Sequence, residues 1–385
     1  RSSIMWKVIL VALFAFATAE KVRYDNYKVF RVIPRTEEEY SFWREPNAAD
    51  GSADVMVAPH KVPEFTEMME NLGITYEIFV PNVQSLIDNE KSEVETQAGF
   101  DLNNYHNLDE IYSYLDSLAK AHPGKVQVIV GGKTYEGRQI KGVKLSFGSN
   151  KPGVVIEAGI HAREWIGPAA MLYMINEMLN SKQADVRSLA ESHDWYIFPV
   201  TNPDGYVYTH TNNRMWRKTR KPYGVLCSGA DPNRNWGYKW MGGSSNNPCA
   251  DTYAGSSAFS DVETKSFSDY LRSISSKFST YLAFHSYSQL LMFPYGHTKQ
   301  HLENYDDSVS KTIGPKIYGT LHVASGSSMD WVKGTFHTPV TFTYELRDTG
   351  RYGFLLPANQ IAPTALETLD SLVGLFKEAK ASGYN

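Results

Sequence analysis

The sequence predicts an α/β fold, a mixed, mostly parallel sheet with helices on both faces, preceded by a small α+β domain. Short apolar runs at residues 126–130, 153–160 and 195–200 have the composition of buried strands, and they alternate with helical stretches such as residues 169–179. This alternation is typical of sheets whose crossover helices cover both faces. The chain has 385 residues, 42% hydrophobic and 21% charged, which is enough for about two or three domains.

Residues 1–19 have the features of a secretory signal peptide. Lys7 precedes the apolar stretch at residues 8–16, and residues 17–19 supply the small side chains of a cleavage site. The stretch is too short to cross a bilayer, and no later run of about 18 apolar residues occurs. We therefore expect a secreted, extracellular protein without a membrane-spanning segment.

Residues 20–87 are predicted to form the small α+β domain. Two segments, residues 27–33 and 74–80, alternate apolar and polar side chains as half-buried strands do. None of the candidate catalytic residues described below lies in this domain.

A polar linker without apolar periodicity follows at residues 88–99. Lys91 is the only basic residue between Lys61 and Lys120, so the linker offers one place for a trypsin-like protease to cut. The remaining chain, residues 100–385, is predicted to form the main domain.

The main domain is predicted to begin with a helix. Asn107 and Glu110 have the spacing of a capping box, and the dipeptide at residues 123–124, Pro-Gly, ends the helical pattern. Three apolar residues recur on one face between these signals: Ile111, Leu115 and Leu118.

Two apolar runs end in side chains that can bind a metal. The run at residues 153–160 is followed by His161 and Glu164, and the run at residues 281–284 by His285. A hydrolytic zinc site takes about three protein ligands and leaves one position for water. An i, i+3 pair on a helical turn points both groups the same way. We therefore expect these residues to form a zinc site, although each of them taken alone could be structural.

A third apolar run, residues 340–344, ends in Glu345. In open α/β sheets, ligands bind beyond the carboxyl ends of the strands, so the three runs are expected to deliver their polar residues to one site. The alternative is that Glu345 pairs with Arg347 or Arg351, but residues so close along a strand end are badly placed for an ion pair.

Four motifs follow one another in the chain. They are His-Ala-Arg-Glu-Trp at 161–165, Asn-Arg-Asn-Trp at 233–236, His-Ser-Tyr-Ser at 285–288 and Glu-Leu-Arg-Asp-Thr-Gly-Arg-Tyr-Gly at 345–353. With these motifs the chain resembles the zinc metallocarboxypeptidases of the pancreatic and digestive A/B type, in their secreted precursor form. The resemblance runs from about Tyr27 to near the C-terminus. It implies one zinc ion per chain, bound by His161, Glu164 and His285, and a first domain that covers the active-site cleft until a protease cuts the linker.

The resemblance also implies catalytic roles. Glu345 matches the general base, which takes a proton from water and passes it to the leaving amine. Arg217 matches the donor that stabilises the charged oxygen of the tetrahedral intermediate. Arg234, helped by Asn233, matches the residue that binds the terminal carboxylate, for which a bidentate guanidinium is well suited.

Four further positions match the substrate cleft. Arg163 and Tyr287 match residues that line it, although a surface arginine and a core tyrosine are the alternative interpretations. Met329 matches the floor of the pocket for the terminal side chain, with Phe354 as an apolar wall. An apolar floor selects aromatic or aliphatic residues, whereas a buried carboxylate would select Lys or Arg. We expect the A-type preference, with B-type specificity as the alternative because Met is also a common core filler.

The chain is shorter than typical relatives between His285 and Glu345. Relatives carry a mobile tyrosine that closes over the substrate, and His322 occupies that place here, which makes it a substrate-binding candidate. If the shortened loop has ended turnover, the protein would be a catalytically impaired, secreted peptide-binding relative. That is the alternative to an active carboxypeptidase.

Cys227 and Cys249 are the only cysteines. In an oxidising compartment they are expected to form one disulfide. Two buried free thiols are the alternative.

The charge distribution restricts the partners. A formal net charge of -4 argues against a nucleic-acid-binding surface. We expect a monomer whose partners are peptide or protein substrates with a free C-terminus and an activating trypsin-like protease.

Overall fold

The computed structural model of the chain describes residues 21–32, 42–44, 53–90, 99–298, 317–318 and 324–384. The predicted signal peptide at residues 1–19, the cleavage candidate Lys91 and the substrate-binding candidate His322 lie outside these residues. Among the described helices, none combines the length and the apolar character needed to cross a bilayer.

The N-terminal domain is an antiparallel sheet with a helix packed on it. Its strands are β1 Lys28–Val32, β2 Phe42–Arg44, β3 Ala53–Val57 and β4 Tyr76–Val80, in the order β2-β3-β1-β4. Its helices are α1 Val62–Asn71 and α2 Val83–Asp88. Phe30 and Val55 of the sheet pack against Phe65 of α1 in the core of this domain. The two strands predicted from alternation are β1 and β4.

The main domain is organised around an eight-stranded sheet with the order β13-β12-β14-β11-β7-β8-β6-β5. Its strands are β5 Val126–Lys133, β6 Gln139–Leu145, β7 Gly153–Ala158, β8 Asp194–Phe198, β11 Phe278–Ser286, β12 Leu290–Met292, β13 Ile317–Tyr318 and β14 Val340–Leu346. The central strands β14, β11, β7 and β8 are parallel, and β5, β6 and β12 join them in antiparallel pairs. The predicted mixed, mostly parallel sheet is confirmed.

Helices cover both faces of this sheet. They are α3 Leu108–Ala121, α4 Ile166–Asn180, α5 Ala184–Ser192, α6 Pro203–Thr211, α7 Val262–Ser273, α8 Ser328–Phe336 and α9 Ile361–Ala381. One apolar cluster joins α3, α4, α5 and α9 to one face, through residues such as Leu115, Met174 and Leu369. A second cluster joins α7 and α8 to the other face, through residues such as Phe267 and Trp331.

Helix α3 begins as its capping box predicts. The Asn107 side chain accepts from the Glu110 backbone N–H, and the Glu110 side chain accepts from the Asn107 backbone N–H. The helix ends at Ala121, before the predicted Pro-Gly stop at residues 123–124.

A turn separates β7 from α4. The strand ends at Ala158, before the end of the apolar run, and Gly159 follows with φ of 62°. A Cβ atom at Gly159 would lie 3.0 Å from the backbone oxygen of Pro199, so glycine suits both the positive φ and the close approach of this backbone. His161 and Glu164 lie in this turn and not in a helix, since α4 begins at Ile166.

The predicted disulfide joins Cys227 to Cys249, across a sequence separation of 22 residues. Cys227 lies in a two-stranded hairpin formed by β9 Pro222–Tyr223 and β10 Cys227–Ser228. The alternative of two free thiols is therefore not what the structure shows.

Candidate active site

Three parallel strands bring the candidate metal ligands and Glu345 together. Strand β11 lies between β7 and β14 in the sheet, and His285 of β11 is in register with Glu345 of β14. The turn that carries His161 and Glu164 follows the carboxyl end of β7. The carboxyl ends of three adjacent parallel strands therefore form one edge, as the sequence predicted.

The three predicted ligands converge there. His161 Nδ1 lies 2.8 Å from Glu164 Oε1, and His285 Nδ1 lies 3.1 Å from Glu164 Oε2 and 3.1 Å from His161 Nδ1. All three side chains are buried, and their ligand atoms lie within 4.8 Å of one another. Two imidazole nitrogens and a carboxylate are a donor set of hydrolytic zinc sites, so these residues fit a zinc ion. Within the described ranges this is the one group of three or more His, Cys, Asp or Glu side chains placed to hold a metal.

Backbone contacts hold the ligands in place. The Glu164 backbone N–H donates to the His161 carbonyl at 3.2 Å and closes the turn that aims both side chains in one direction. The Ala162 backbone N–H donates to the Arg217 carbonyl at 3.0 Å, which fixes this turn to the neighbouring segment. The Ser286 backbone N–H donates to Glu164 Oε2 at 3.2 Å.

Asp231 is a functional neighbour that the sequence prediction missed. Its Oδ1 lies 3.1 Å from His161 Nε2, and its Oδ2 accepts from Arg217 Nη2 at 2.8 Å and Nε at 3.1 Å. A metal-binding histidine usually donates its other ring N–H to a carboxylate, which fixes the ring and its tautomer. No local pattern in the sequence marks Asp231 as that carboxylate, because the contact joins residues 70 positions apart.

Neighbouring positive charges favour the ionised forms of Asp231 and Glu164. Burial alone would raise the pKa of Asp231, but the charges of Arg217 and His161 outweigh it and hold the pKa well below its usual range. Burial likewise opposes ionisation of Glu164, and His161 and His285 reverse that effect and lower its pKa. An ionised Glu164 is the form that binds a cation.

Glu345 is half-buried at the end of β14. Burial lowers the pKa of His285, but the neighbouring Glu164 outweighs burial, and the net pKa is raised. The negative charge of Glu345 makes a smaller contribution in the same direction as Glu164. Arg347 binds Glu367, with 2.7 Å from Nε to Oε1, and Gln360, with 2.7 Å from Nη1 to Oε1. These contacts give Arg347 partners other than Glu345.

Asn233 and Arg234, the candidates for the terminal carboxylate, lie beside the metal ligands. Asn233 Nδ2 is 3.5 Å from His285 Nε2, and Asn233 Oδ1 accepts from the Ser328 backbone N–H at 3.1 Å. Arg234 is buried, and its Nη1 donates to the Asn233 carbonyl at 3.1 Å. The two candidates are thus placed side by side, close to His285.

Met329, the candidate pocket floor, is buried in the first turn of α8. Its sulfur accepts from the Thr343 hydroxyl at 3.2 Å. The next residue, Asp330, is an acid that binds elsewhere: its carboxylate accepts from the backbone N–H groups of Gly296 and His297 at 2.8 and 3.0 Å.

Arg163, Tyr287 and Phe354, three of the candidate cleft residues, form one buried cluster. The guanidinium of Arg163 lies 4.3 Å from the centre of the Phe354 ring, which packs edge-on against Tyr287 at 5.1 Å. Arg163 also lies 3.3 Å from Asp251, which follows the disulfide residue Cys249 by two positions. The structure therefore brings these three candidate residues into contact with one another.

The N-terminal domain covers this cluster. The Tyr287 hydroxyl donates to Asp54 Oδ2 at 3.2 Å, and Asp54 is fully buried in an ion pair with Arg31 at 2.7 Å. Arg31 Nη2 also donates to the Thr349 carbonyl at 3.1 Å. An apolar cluster spans both domains and contains Tyr24, Val29, Val80 and Val83 of the first and Met215, Tyr287, Phe354 and Leu355 of the second. In the uncut chain the first domain thus lies over candidate substrate-binding residues.

Comparisons of the sequence with known families agree with this site. The family described as "Zinc carboxypeptidase" matches residues 111–371, and "Carboxypeptidase activation peptide" matches residues 24–90. Zinc carboxypeptidase A 1 of Anopheles gambiae is 45% identical, over 98% of this chain and 95% of its own. The zinc carboxypeptidase of Simulium vittatum is 54% identical, over 73% of this chain and 98% of its own. Carboxypeptidase A1 of Homo sapiens is 40% identical, over 87% of this chain and 86% of its own.

Solved structures give the same result. The crystal structure of thrombin activatable fibrinolysis inhibitor matches with a TM-score of 0.82 and 30% identity, over 92% of this chain and 98% of its own. Carboxypeptidase A of Helicoverpa armigera matches with a TM-score of 0.80 and 28% identity, over 94% of this chain and 100% of its own. The chain therefore belongs to the zinc carboxypeptidase family, and it carries the family's activation peptide in front of the enzyme.

Proposed function

We propose that this zinc carboxypeptidase zymogen is secreted and, once a trypsin-like protease has cut the linker at Lys91, releases aromatic or aliphatic residues from the C-terminus of peptides. The signal-peptide features of residues 1–19 support secretion. The hydrogen bond of Asp54 with Tyr287 supports a requirement for cutting, because Tyr287 is one of the residues that we assign to substrate binding.

Glu345 acts as the general base. His161, Glu164 and His285 would hold a zinc ion, which would supply Lewis-acid chemistry toward the scissile carbonyl and a water molecule. Glu345, in register with His285 on the adjacent strand, takes a proton from the attacking water and passes it to the leaving amine. Its position near the carboxyl end of β14, in register with the candidate ligand His285, supports this role.

Arg217 stabilises the charge that develops on the carbonyl oxygen. Its bonds to Asp231 hold the guanidinium in place before the substrate arrives, and a fixed donor needs no reorganisation during the reaction. Arg234 and Asn233 bind the terminal carboxylate, which restricts hydrolysis to the last peptide bond. Arg163 and Tyr287 contact the preceding part of the peptide.

The observation that carries the substrate preference is the burial of Met329 in the first turn of α8, against Thr343. An apolar floor gives a basic side chain no countercharge, and burying an unpaired charge is costly. We assign Phe354, whose ring packs against Arg163 and Tyr287, as the apolar wall of this pocket. This environment favours an aromatic or aliphatic terminal residue.

The test compares two blocked peptides that differ only in a C-terminal Phe or Arg. Release is measured before and after limited trypsin, with and without a zinc chelator. We expect chelator-sensitive release of Phe that appears only after trypsin. Release of Arg instead would contradict the A-type preference, and zinc binding without release of either residue would identify a catalytically impaired relative.

A further inference from the structure

Glu157 is a buried acid that none of the roles above uses. It lies in β7, and its side chain is 0% exposed. Because side chains alternate along a strand, Glu157 lies on the same face as Val155, which packs in the cluster shared with α8. The Ser328 hydroxyl, at the start of α8, donates to Glu157 Oε1. A fully buried carboxyl group in the middle of a parallel sheet is costly unless it has a specific partner.

That partner leads to the candidate carboxylate-binding residues. The backbone N–H of Ser328 donates to Asn233 Oδ1 at 3.1 Å. The backbone N–H of Asn233 donates to Asp231 Oδ1 at 2.8 Å, so the Asn233 backbone is fixed independently. Ser328 therefore connects Glu157 to the Asn233 side chain. Its hydroxyl binds Glu157, and its backbone N–H binds Asn233 Oδ1.

The orientation of the Asn233 amide decides its chemistry. With Oδ1 occupied by the Ser328 N–H, the NH2 group points away, toward His285 at 3.5 Å. An NH2 group donates to a carboxylate, whereas the carbonyl oxygen of a flipped amide would repel it. The two orientations of the Asn233 side-chain amide, related by a flip, have the same covalent geometry, so the hydrogen-bond partners determine which one is populated.

We propose that Glu157 is a positioning residue for substrate binding: it fixes the start of α8 through Ser328 and so keeps the Asn233 NH2 group facing the terminal carboxylate. The inference rests on the proposed role of Asn233 and Arg234. It adds a residue that acts through its neighbours and does not touch the substrate.

Three variants test the inference in the full chain activated by trypsin. Glu157→Leu keeps most of the side-chain volume and removes the acceptor, Ser328→Ala removes the donor hydroxyl, and Glu157→Gln keeps an acceptor oxygen. The probes are two inhibitors that differ in one group, a benzyl-substituted mercaptopropanoic acid and its primary amide. Both present a thiol to zinc, and only the acid presents a carboxylate to Asn233. Binding is measured by calorimetry, alongside zinc content, thermal unfolding, and kcat and KM for the C-terminal Phe peptide.

We expect Glu157→Leu and Ser328→Ala to weaken binding of the acid by about ten- to a hundredfold, which corresponds to one hydrogen bond to a charged group. In these two variants, binding of the amide inhibitor, zinc content and kcat should stay within about threefold of the wild type. KM for the peptide should rise in parallel with the Kd of the acid inhibitor. Glu157→Gln should keep KM and the Kd of the acid near their wild-type values. If Glu157→Leu does not fold, the Ser328→Ala result decides.

Equal weakening of acid and amide, or a loss of kcat with unchanged KM, would overturn the inference, because a general loss of structure affects both probes. A wild-type enzyme that binds the acid no better than the amide would overturn it together with the carboxylate-binding role of Asn233. A wild-type enzyme that binds the acid selectively but releases no Phe would count against the proposed activity alone.

Discussion

Glu90 and Arg214 form a buried ion pair between the end of the activation peptide and the main domain. Their side chains are 2% and 1% exposed, and Arg214 Nε donates to Glu90 Oε2 at 2.7 Å while Nη2 donates to Oε1. Arg214 also donates to the carbonyls of Arg163 and Phe354, each at 2.8 Å. Asp88, the last residue of α2, and Asn89 are exposed, whereas Glu90 is buried in this ion pair.

We expect Glu90→Ala to destabilise the uncut zymogen by about 3–5 kcal/mol, because removing one partner of a buried ion pair leaves the other charge uncompensated. Urea unfolding of the uncut chain measures this change. The uncut variant should also release more C-terminal Phe than the uncut wild type, because the activation peptide is held less firmly over the cleft.

Two controls accompany this variant. Cutting after Lys91 removes Glu90, so the activated enzymes from wild type and variant should have identical kcat/KM. Glu64→Gln changes an exposed acid in α1 that pairs with Lys61, and it should leave zymogen stability within about 0.5 kcal/mol of the wild type. Equal stability of the Glu90→Ala and wild-type zymogens would show that the pair does not hold the peptide.

Glu345→Gln should reduce kcat by about 100- to 10,000-fold, because the amide cannot take a proton from water. Zinc content should be unchanged, since Glu345 is not among the three clustered ligands. Stopped assays on the trypsin-activated enzyme, with metal analysis of the same sample, measure both quantities. Glu367→Gln is the matched control, an acid that pairs with Arg347 instead, and a comparable loss of kcat there would argue against a special role for Glu345.

Met329→Asp should change the preferred terminal residue from Phe to Arg or Lys. The introduced carboxylate provides the countercharge that a basic terminal side chain needs, and it disfavours an apolar terminal side chain. The ratio of kcat/KM for the peptide ending in Arg to kcat/KM for the peptide ending in Phe should therefore increase by about a hundredfold or more. Met329→Leu, which keeps the floor apolar, should retain the preference for Phe. If Met329→Asp binds zinc but keeps the wild-type preference, Met329 is not the floor of the pocket.

Glu263, a buried residue of α7, should make stability depend on pH. Burial is the main cause that raises its pKa to about 7, and the charges of Asp261 and Asp204 also raise it. Backbone hydrogen bonds, including the one from the Tyr135 N–H, lower the pKa by less. In the unfolded chain the pKa is ordinary, so between that value and about 7 the folded state binds more protons than the unfolded state. The free energy of unfolding is therefore not reduced by this group at low pH, and it falls as the pH rises from the unfolded-state pKa toward about 7.

Glu263→Gln should remove this loss, because its side chain stays neutral at every pH. We expect the variant to be about 2–3 kcal/mol more stable than the wild type at pH 8, and nearly equal to it at about pH 4. Urea unfolding of both zymogens across this range measures the difference. A constant difference at all pH values would show that Glu263 does not titrate on unfolding.

Local patterns in the sequence predicted the fold class and the three side chains that the structure groups as candidate metal ligands. The strands β7, β11 and β14 are rich in apolar side chains, and almost all of their residues are buried, as in strands covered on both faces. Because parallel strands share one carboxyl edge, the order of residues along the chain is enough to assign His161, His285 and Glu345, which lie at or after the strand ends, to one site. The motifs of the zinc carboxypeptidases then added the roles.

The tertiary structure decided which buried polar groups pair. Glu90 and Arg214 are 124 residues apart, and Asp54 and Tyr287 are 233 apart. No local pattern marks such pairs, because the free energy of a buried hydrogen bond or ion pair depends on distance and burial in the folded chain. Asp231 and Glu157 likewise look like ordinary acids in sequence, and only packing shows that one fixes His161 and the other Ser328. The sequence by itself determined the chemistry available, and the fold determined which of these groups touch.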